Sequence, residues 1–213
     1  MKIACLQFNP IQENTYVVWD DTKECAVIDA GNSNPREDAA LDNFIAEHGL
    51  KPVLAVNTHG HFDHVFGAQF VCDTYHLQPE MCADEVPTYL QAAEQMRMFL
   101  HRDFPLTLPS VGNTFKDGDL ITFGNHQLRV IETPGHTPGG VCFYCEAEKL
   151  IFSGDSLFCH EIGRCDLPGG NEAQLIRVLK EKILSLPSDV NVLPGHGVAT
   201  TIGEEKRANR YLL

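Results

Sequence analysis

The sequence predicts an α+β protein folded as a four-layer αββα sandwich, with two mixed β-sheets packed face to face and helices on both outer sides. Two observations lead there. Runs with the pattern of β-strands come in two series, one before Thr58 and one from Leu120 onward. Each series also holds helical segments of its own, and a sheet must bury its apolar faces against another layer. The 213 residues are enough for one sizeable domain, expected to span 1–213.

In chain order, the first series opens with Lys2 to Phe8, Asn14 to Trp19 and Glu24 to Asp29. The last of these runs into Ala30-Gly31, where glycine permits a turn. Pro35 to His48 follows as an amphipathic helix, with Ala39, Leu41, Phe44, Ile45 and Leu50 near its apolar side. Val53 to Val56, bounded by Pro52 and by polar residues, reads as a short buried strand. A turn then leads into a helix over Val65 to Val71. Glu85 to His101 has helical spacing, with Tyr89, Leu90, Met96 and Phe99, until Phe104-Pro105-Leu106 breaks it. Residues 80–110 therefore read either as a packed outer helix or as part of a lid facing substrate. The second series comprises Leu120 to Phe123, Gln127 to Glu132, Gly140 to Cys145 and Lys149 to Ser153. Asn171 to Leu186 is a helix, Val190 to Leu193 a strand, and Glu204 to Leu213 a closing helix. No internal repeat or low-complexity segment interrupts this order.

Composition narrows the function. With 43% hydrophobic and 21% charged residues, the chain belongs with soluble globular proteins. No segment reaches the roughly 20 apolar residues of a membrane span. The first ten residues lack the apolar core and cleavage site of a signal peptide, so a cytoplasmic location is expected. A net charge of −13 with scattered Lys and Arg argues against nucleic acid as partner, since phosphate contacts need a basic face. It leaves room for a local basic pocket and an anionic small substrate. Oligomeric state is not legible. Of the eight cysteines, Cys142 and Cys145 have C-x-x-C spacing but sit in a strand, where residues three apart point to opposite faces. Buried free thiols are expected instead.

The densest chemistry lies in Thr58-His59-Gly60-His61-Phe62-Asp63-His64, three imidazoles and a carboxylate in seven residues. His59 and His61 lie two apart, so on extended backbone they project to one side. Asp63 keeps that parity and His64 breaks it, which fits the turn into the following helix. Neutral imidazoles and carboxylates suit first-row divalent metals, and four such ligands exceed the needs of one open catalytic ion. Three later segments share one format, in which a strand ends, glycine loosens the backbone and a metal-type ligand follows. They are Pro134-Gly135-His136, Ser153-Gly154-Asp155 and Pro194-Gly195-His196. Singly, each is an ordinary loop residue or helix cap. Together with the heptapeptide they total five imidazoles and two carboxylates, the inventory for two ions sharing one carboxylate and one solvent-derived oxygen.

The order H-x-H-x-D-H, then His136, Asp155 and His196, resembles the metallo-β-lactamase superfamily and, within it, the hydroxyacylglutathione hydrolase (glyoxalase II) branch. The resemblance runs from Asp29 nearly to the C-terminus. It implies that His59, His61 and His136 bind a first metal and Asp63, His64 and His196 a second. Asp155 would bridge them, with Asp63 and Asp155 the catalytic carboxylates. Asp29 and Thr58 match positions that buttress the ligands, although Asp29 reads equally as a turn-forming aspartate. Zinc is the expected ion, and iron or manganese suit the same donors. Two divalent ions about 3.5–4 Å apart lower the pKa of a bridging water and polarise a carbonyl, which suits hydrolysis of a hydroxyacyl thioester such as S-lactoylglutathione. A thiolate leaving group needs little protonation, and no Gly-x-Ser-x-Gly elbow is present.

Two departures bear on substrate. After Asp155 the branch carries a basic residue followed by an aromatic pair, whereas here Arg164 is followed by Cys165 and Asp166. Arg164 reads either as a contact to a substrate carboxylate or as a salt-bridge partner of Asp166. The chain also stops shortly after His196, like short relatives lacking a C-terminal helical domain, so recognition of glutathione would be partial or directed to another thiol. Competing readings are a lactone or β-lactam hydrolase, a mononuclear-iron persulfide dioxygenase, and a non-catalytic metal module.

Overall fold

The computed structural model describes residues 1–100 and 106–213. Strand β1 (Lys2–Phe8) pairs antiparallel with β2 (Glu13–Trp19), and β2 antiparallel with β3 (Glu24–Ile28). β3 then pairs parallel with β4 (Lys51–Val56), which completes a mixed sheet in the order β1-β2-β3-β4. A parallel step needs a crossover, supplied here by α1 (Pro35–Glu47). Asn34 caps that helix by accepting from the backbone N–H groups of Arg36 and Glu37, and Pro35 suits the first helical position.

The connection to the second sheet contains α2 (Phe62–Val65), α3 (Ala68–Tyr75) and β5 (Met81–Cys82), then α4 (Val86–Leu90), α5 (Ala92–Leu100) and β6 (Thr114–Phe115). Strands β7 (Leu120–Phe123), β8 (His126–Glu132), β9 (Val141–Cys145) and β10 (Leu150–Gly154) form an antiparallel meander. A short hairpin, β11 (Leu157–Phe158) and β12 (Glu161–Ile162), leads to α6 (Glu172–Val178). β13 (Asn191–Pro194) returns parallel to β10, and β14 (Thr200–Thr201) and α7 (Ile202–Ala208) close the chain. The second sheet is also mixed, in the order β14-β13-β10-β9-β8-β7.

Strand parity explains the four layers. Val18 and Ile28 of the first sheet meet Phe143 and Phe152 of the second in one apolar core between the sheets. Their neighbours Val17 and Val27 point the other way, onto Leu41 and Ile45 of α1 and Val71 of α3. On the far side, Tyr144 and Ile151 pack with Leu175 of α6. Both faces of the central strands are therefore buried, which is why they read as continuous apolar runs. Cys142 and Cys145 fall in different cores, as strand parity requires, and all eight cysteines are free.

Several boundaries differ from expectation. The helix expected over Val65 to Val71 begins at Phe62, breaks at Phe66-Gly67 and resumes at Ala68. Gly67 packs on the segment before α1, where an added Cβ would lie 1.8 Å from Asn32 Oδ1. The long helix after Asn171 passes into a π-helical turn over Leu179–Ile183, and the closing helix covers Ile202–Ala208. Helix α4 ends before Gln91 and α5 follows it, with Tyr89 and Met96 in the inter-sheet core. The described part of this stretch is packed, as the outer-helix reading expects, and α5 also lines a cavity. His101 and the break at Phe104-Pro105 lie outside the described residues. Among the described residues, no helix is long and apolar enough to cross a membrane.

Candidate metal centre

Every expected ligand sits just beyond the C-terminal end of a strand. β4 ends at Val56, and the extended backbone after it places the rings of His59 and His61 with centroids 4.8 Å apart. One turn of helix, α2, then carries Asp63 and His64. Two asparagines that sequence reasoning passed over pin that turn by its carbonyls. Asn9 Nδ2 donates to Asp63 O at 3.0 Å, and Asn57 Nδ2 donates to His64 O at 2.9 Å. His136, Asp155 and His196 follow β8, β10 and β13. Gly154 takes φ +48°, and a Cβ there would lie 2.3 Å from Thr58 Oγ1. At Gly195 a Cβ would come within 2.4 Å of Asp155 Oδ1. Both strand ends need glycine for the ligands to approach each other.

The donor atoms form two groups. Those of His59, His61 and His136 lie within 4.8 Å of one another, and so do those of Asp63, His64 and His196. Asp155 stands between the groups. Its Oδ2 is 4.0 Å from His59 Nε2 and 3.7 Å from both His136 Nε2 and His196 Nε2, while its Oδ1 is 3.3 Å from His64 Nε2. In the second group, His196 Nε2 lies 3.2 Å from Asp63 Oδ2 and 3.3 Å from His64 Nε2. Donors about 2.0–2.1 Å from a common tetrahedral ion lie about 3.4 Å from each other, so these spacings suit shared cations. Buried His59 Nε2, His136 Nε2 and Asp155 Oδ1 have no hydrogen-bond partner in the protein, a costly arrangement that metal ligation resolves. The residues present fit two metal ions.

Hydrogen bonds outside the cluster set the imidazole tautomers. A carbonyl only accepts, so His136 Nδ1 donates its proton to Arg164 O at 2.7 Å and Nε2 keeps a lone pair. Thr58 donates its hydroxyl to Asp29 Oδ2 at 2.6 Å, leaving its oxygen to accept from His59 Nδ1 at 3.1 Å. Asp29 Oδ2 also lies 3.1 Å from His64 Nδ1, a charge contact without hydrogen-bond geometry. Supports of this kind orient ligands and raise their basicity.

Burial, reinforced by neighbouring imidazoles, holds His59 well below the usual histidine range and lowers His61 to about 3. Burial likewise lowers His136. These three are neutral at pH 7, the form in which imidazole binds a metal. At His64 burial pulls downward too, but the carboxylates of Asp155, Asp63 and Asp29 outweigh it and raise the group well above its usual value. That half of the cluster demands positive charge. Glu13, fully buried with its Oε1 3.9 Å from His64 Nδ1, is pushed well above the ordinary carboxylate range by burial.

Two further residues escaped the sequence reading. Glu85 accepts from the backbone N–H of Gly60 at 2.9 Å and of Gly139 at 2.8 Å, tying the first ligand loop to the loop after His136. Asn14 holds the His196 loop from the other sheet. The signal for Asn14 was present: three polar residues, Glu13-Asn14-Thr15, open a buried strand that is apolar from Tyr16 onward. Glu85 gave none, because an acid at the start of a helical pattern is ordinary.

Above the cluster opens a cavity of about 650 Å³, reached by His61, Asp63, His136, Asp155 and His196 and walled in part by α5. Arg164 lines it, but its guanidinium donates through Nε to Asp166 Oδ1 at 2.7 Å and through Nη2 to Asp166 Oδ2 at 2.8 Å. The salt-bridge reading of Arg164 is thus realised.

Two facing mixed sheets with a His- and Asp-rich cluster at their strand ends define a class, the αββα metal-site proteins. The chain belongs to the metallo-β-lactamase superfamily, whose family model matches residues 8–196. Hydroxyacylglutathione hydrolase GloC of Haemophilus influenzae is 34% identical over 215 residues, spanning 100% of this chain and 98% of that protein. Among solved structures, the BLEG-1 B3 metallo-beta-lactamase aligns with a TM-score of 0.90 at 34% identity and covers 99% of both chains. TTHA1623, in a di-iron-bound form, aligns with a TM-score of 0.86 at 34% identity over 98% of this chain and 100% of that one.

Proposed function

We propose that this chain is a binuclear metal hydrolase of thioesters, with a hydroxyacyl thioester such as S-lactoylglutathione as its reference substrate. The observation that carries the reading is Asp155 standing between two ligand groups that open onto one cavity. His59, His61 and His136 would hold one ion, Asp63, His64 and His196 the other, and Asp155 both. When bound, such a pair supplies a water of lowered pKa and an electrophilic contact for a carbonyl oxygen. Zinc is the default ion, and the di-iron relative supports iron as the alternative.

The protein's own part is preorganisation. Thr58 and the Arg164 carbonyl fix two imidazoles, those of His59 and His136, with Nε2 toward the cluster, so neither ring has to rotate or change tautomer to act as a ligand. Hydrolysis of a thioester expels a thiolate, a leaving group stable near neutral pH that needs no dedicated acid. The full-length likeness to the hydroxyacylglutathione hydrolase GloC supports this bond type.

A second reading, β-lactam hydrolysis, is favoured by the likeness to the BLEG-1 B3 metallo-beta-lactamase. One preparation of known metal content should be assayed with S-lactoylglutathione, a lactone, a β-lactam, and glutathione persulfide with oxygen uptake. Thioester turnover that tracks metal content is expected. Turnover of the β-lactam alone would replace the thioester reading, and oxygen uptake would move the chain out of hydrolysis.

A further inference from the structure

The cavity of about 650 Å³ over the ligand cluster has the size of a small-molecule site. Away from the ligands much of its wall is apolar, built from Phe62, Pro87, Met98, Phe99, Phe158 and Leu167. Met98 and Phe99 are 49% and 39% exposed, and Ile11 in the same lining is 41% exposed. Large apolar side chains gathered in water around a cavity mark a surface that something apolar covers.

Much of the polar lining is already engaged, Gln91 excepted. Gln95 Nε2 donates to Thr88 O at 2.9 Å, and Gln95 Oε1 accepts from Phe62 N at 3.3 Å. Glu94 adds negative charge and is ion-paired to Arg97. Among the described lining residues Arg164 is the one Lys or Arg, and both arms of its guanidinium fork are taken by Asp166. Its guanidinium carbon lies over the Phe99 ring, 5.4 Å from the centroid, so it borders the aromatic wall. An anionic carrier such as glutathione would bring carboxylates to a wall whose one guanidinium, among those residues, it would have to share with Asp166, on a chain of net charge −13.

We propose that the substrate of this site carries an uncharged apolar group, alkyl or aromatic, beside the bond that is cut, and that Phe99 and Met98 select for it. The inference rests on the thioester reading for the bond and on the lining for what the bond carries, so S-lactoylglutathione serves as a reference for the bond type and should be cut less well than neutral apolar thioesters. Hydrolysis forms one C–O bond and breaks C–S, and the atoms of one water end on the acid and the thiol, so no oxidant or reductant is needed.

Two measurements on the metal-loaded protein test it. The first is calorimetric binding of unreactive thioethers: neutral N-acetylcysteamine with S-methyl to S-octyl chains, against S-methyl- and S-hexylglutathione. The second is kcat/KM along two thioester series, one lengthening the acyl group on N-acetylcysteamine and one lengthening the thiol of an acetyl thioester. Each methylene that enters the wall should tighten binding and raise kcat/KM by about fourfold until the cavity is filled. The series that shows the slope tells which side of the bond the apolar group occupies. Phe99→Ala, with its melting temperature as the fold control, should flatten that slope. Flat or falling dependence in both binding and kinetics, or S-methylglutathione binding more tightly than the neutral S-hexyl thioether, overturns the proposal. If thioethers follow chain length but no thioester is cut, the apolar site stands and the thioester reading falls. Thioesters cut with no dependence on chain length give the reverse.

Discussion

Thr58 gives Asp29 two hydrogen bonds, from its backbone N–H at 2.7 Å and from its hydroxyl at 2.6 Å. With its proton so committed, the hydroxyl oxygen is left to accept from His59 Nδ1, and the lone pair of His59 Nε2 points into the cluster. Thr58→Val keeps the shape and removes the hydroxyl, which frees the ring and its tautomer. Metal affinity of the group containing His59 should fall 10- to 100-fold or thereabouts in a chelator competition, and Thr58→Ser should restore it. Unchanged affinity in the valine variant would show that Thr58 supports the loop and not the ligand.

Asp155 makes a sharper demand. Its Oδ1 faces His64 and its Oδ2 faces His59, His136 and His196, so Asp155→Ala should strip ligation from both groups. Metal content by mass spectrometry should fall toward zero per chain and hydrolysis should disappear with it. The loss should exceed the roughly 100-fold that removing a supporting residue costs. His196→Ala, by contrast, should lose one ion. An Asp155 variant that retains one tightly held ion would confine the carboxylate to a single group.

The clustering of the candidate ligands was legible because metal chemistry restricts residue type and strand ends restrict position. His59 and His61 needed only period-2 parity, and the glycine before each of His136, Asp155 and His196 marked a strand ending at close quarters. The four layers were legible from the same parity, since Val17 and Val18 must serve different cores. What stayed hidden acts over long sequence separations. Asn9 reaches Asp63, Asn14 reaches Pro194, and Glu85 reaches Gly139, and no local periodicity records such pairings. The paired strands β5 and β6, with two residues each, are likewise too short for any period to show.

Glu85 predicts a pH dependence of stability. Burial pushes its carboxyl up to about 7 from an ordinary value of 4.5, against the opposing pull of the Gly60 and Gly139 N–H groups. The folded chain thus keeps a proton that the unfolded chain has released. That contribution is complete below pH 4.5 and is lost as pH rises through about 7. Between pH 5 and 8, wild type should lose stability relative to Glu85→Gln, by roughly 3 kcal/mol at most. Denaturant unfolding of both proteins at fixed metal loading measures the difference, in which titrations common to both cancel. A difference that stays flat across this range would place the Glu85 pKa near its ordinary value.

Asn14 offers the clearest separation between the two halves of the centre. From strand β2 its backbone N–H donates to Gly195 O at 2.7 Å, and its side-chain amide donates to Pro194 O at 3.0 Å and Gly197 O at 3.1 Å. Tyr16, two residues on, donates its hydroxyl to Pro194 O at 2.8 Å. The first sheet therefore grips the loop that carries His196 on the second. Asn14→Ala leaves the Gly197 carbonyl without this donor and weakens the hold on Pro194, so stability should drop by about 1–3 kcal/mol. More specifically, His196 should lose its fixed position while His59, His61 and His136 keep theirs. A chelator titration should then show one of two release steps shifted to lower chelator by at least about tenfold and the other unmoved. Tyr16→Phe, which removes one donor and spares the rest, should shift the same step less. Equal weakening of both steps would mean that Asn14 holds the two sheets together and has no particular bearing on the second ligand group.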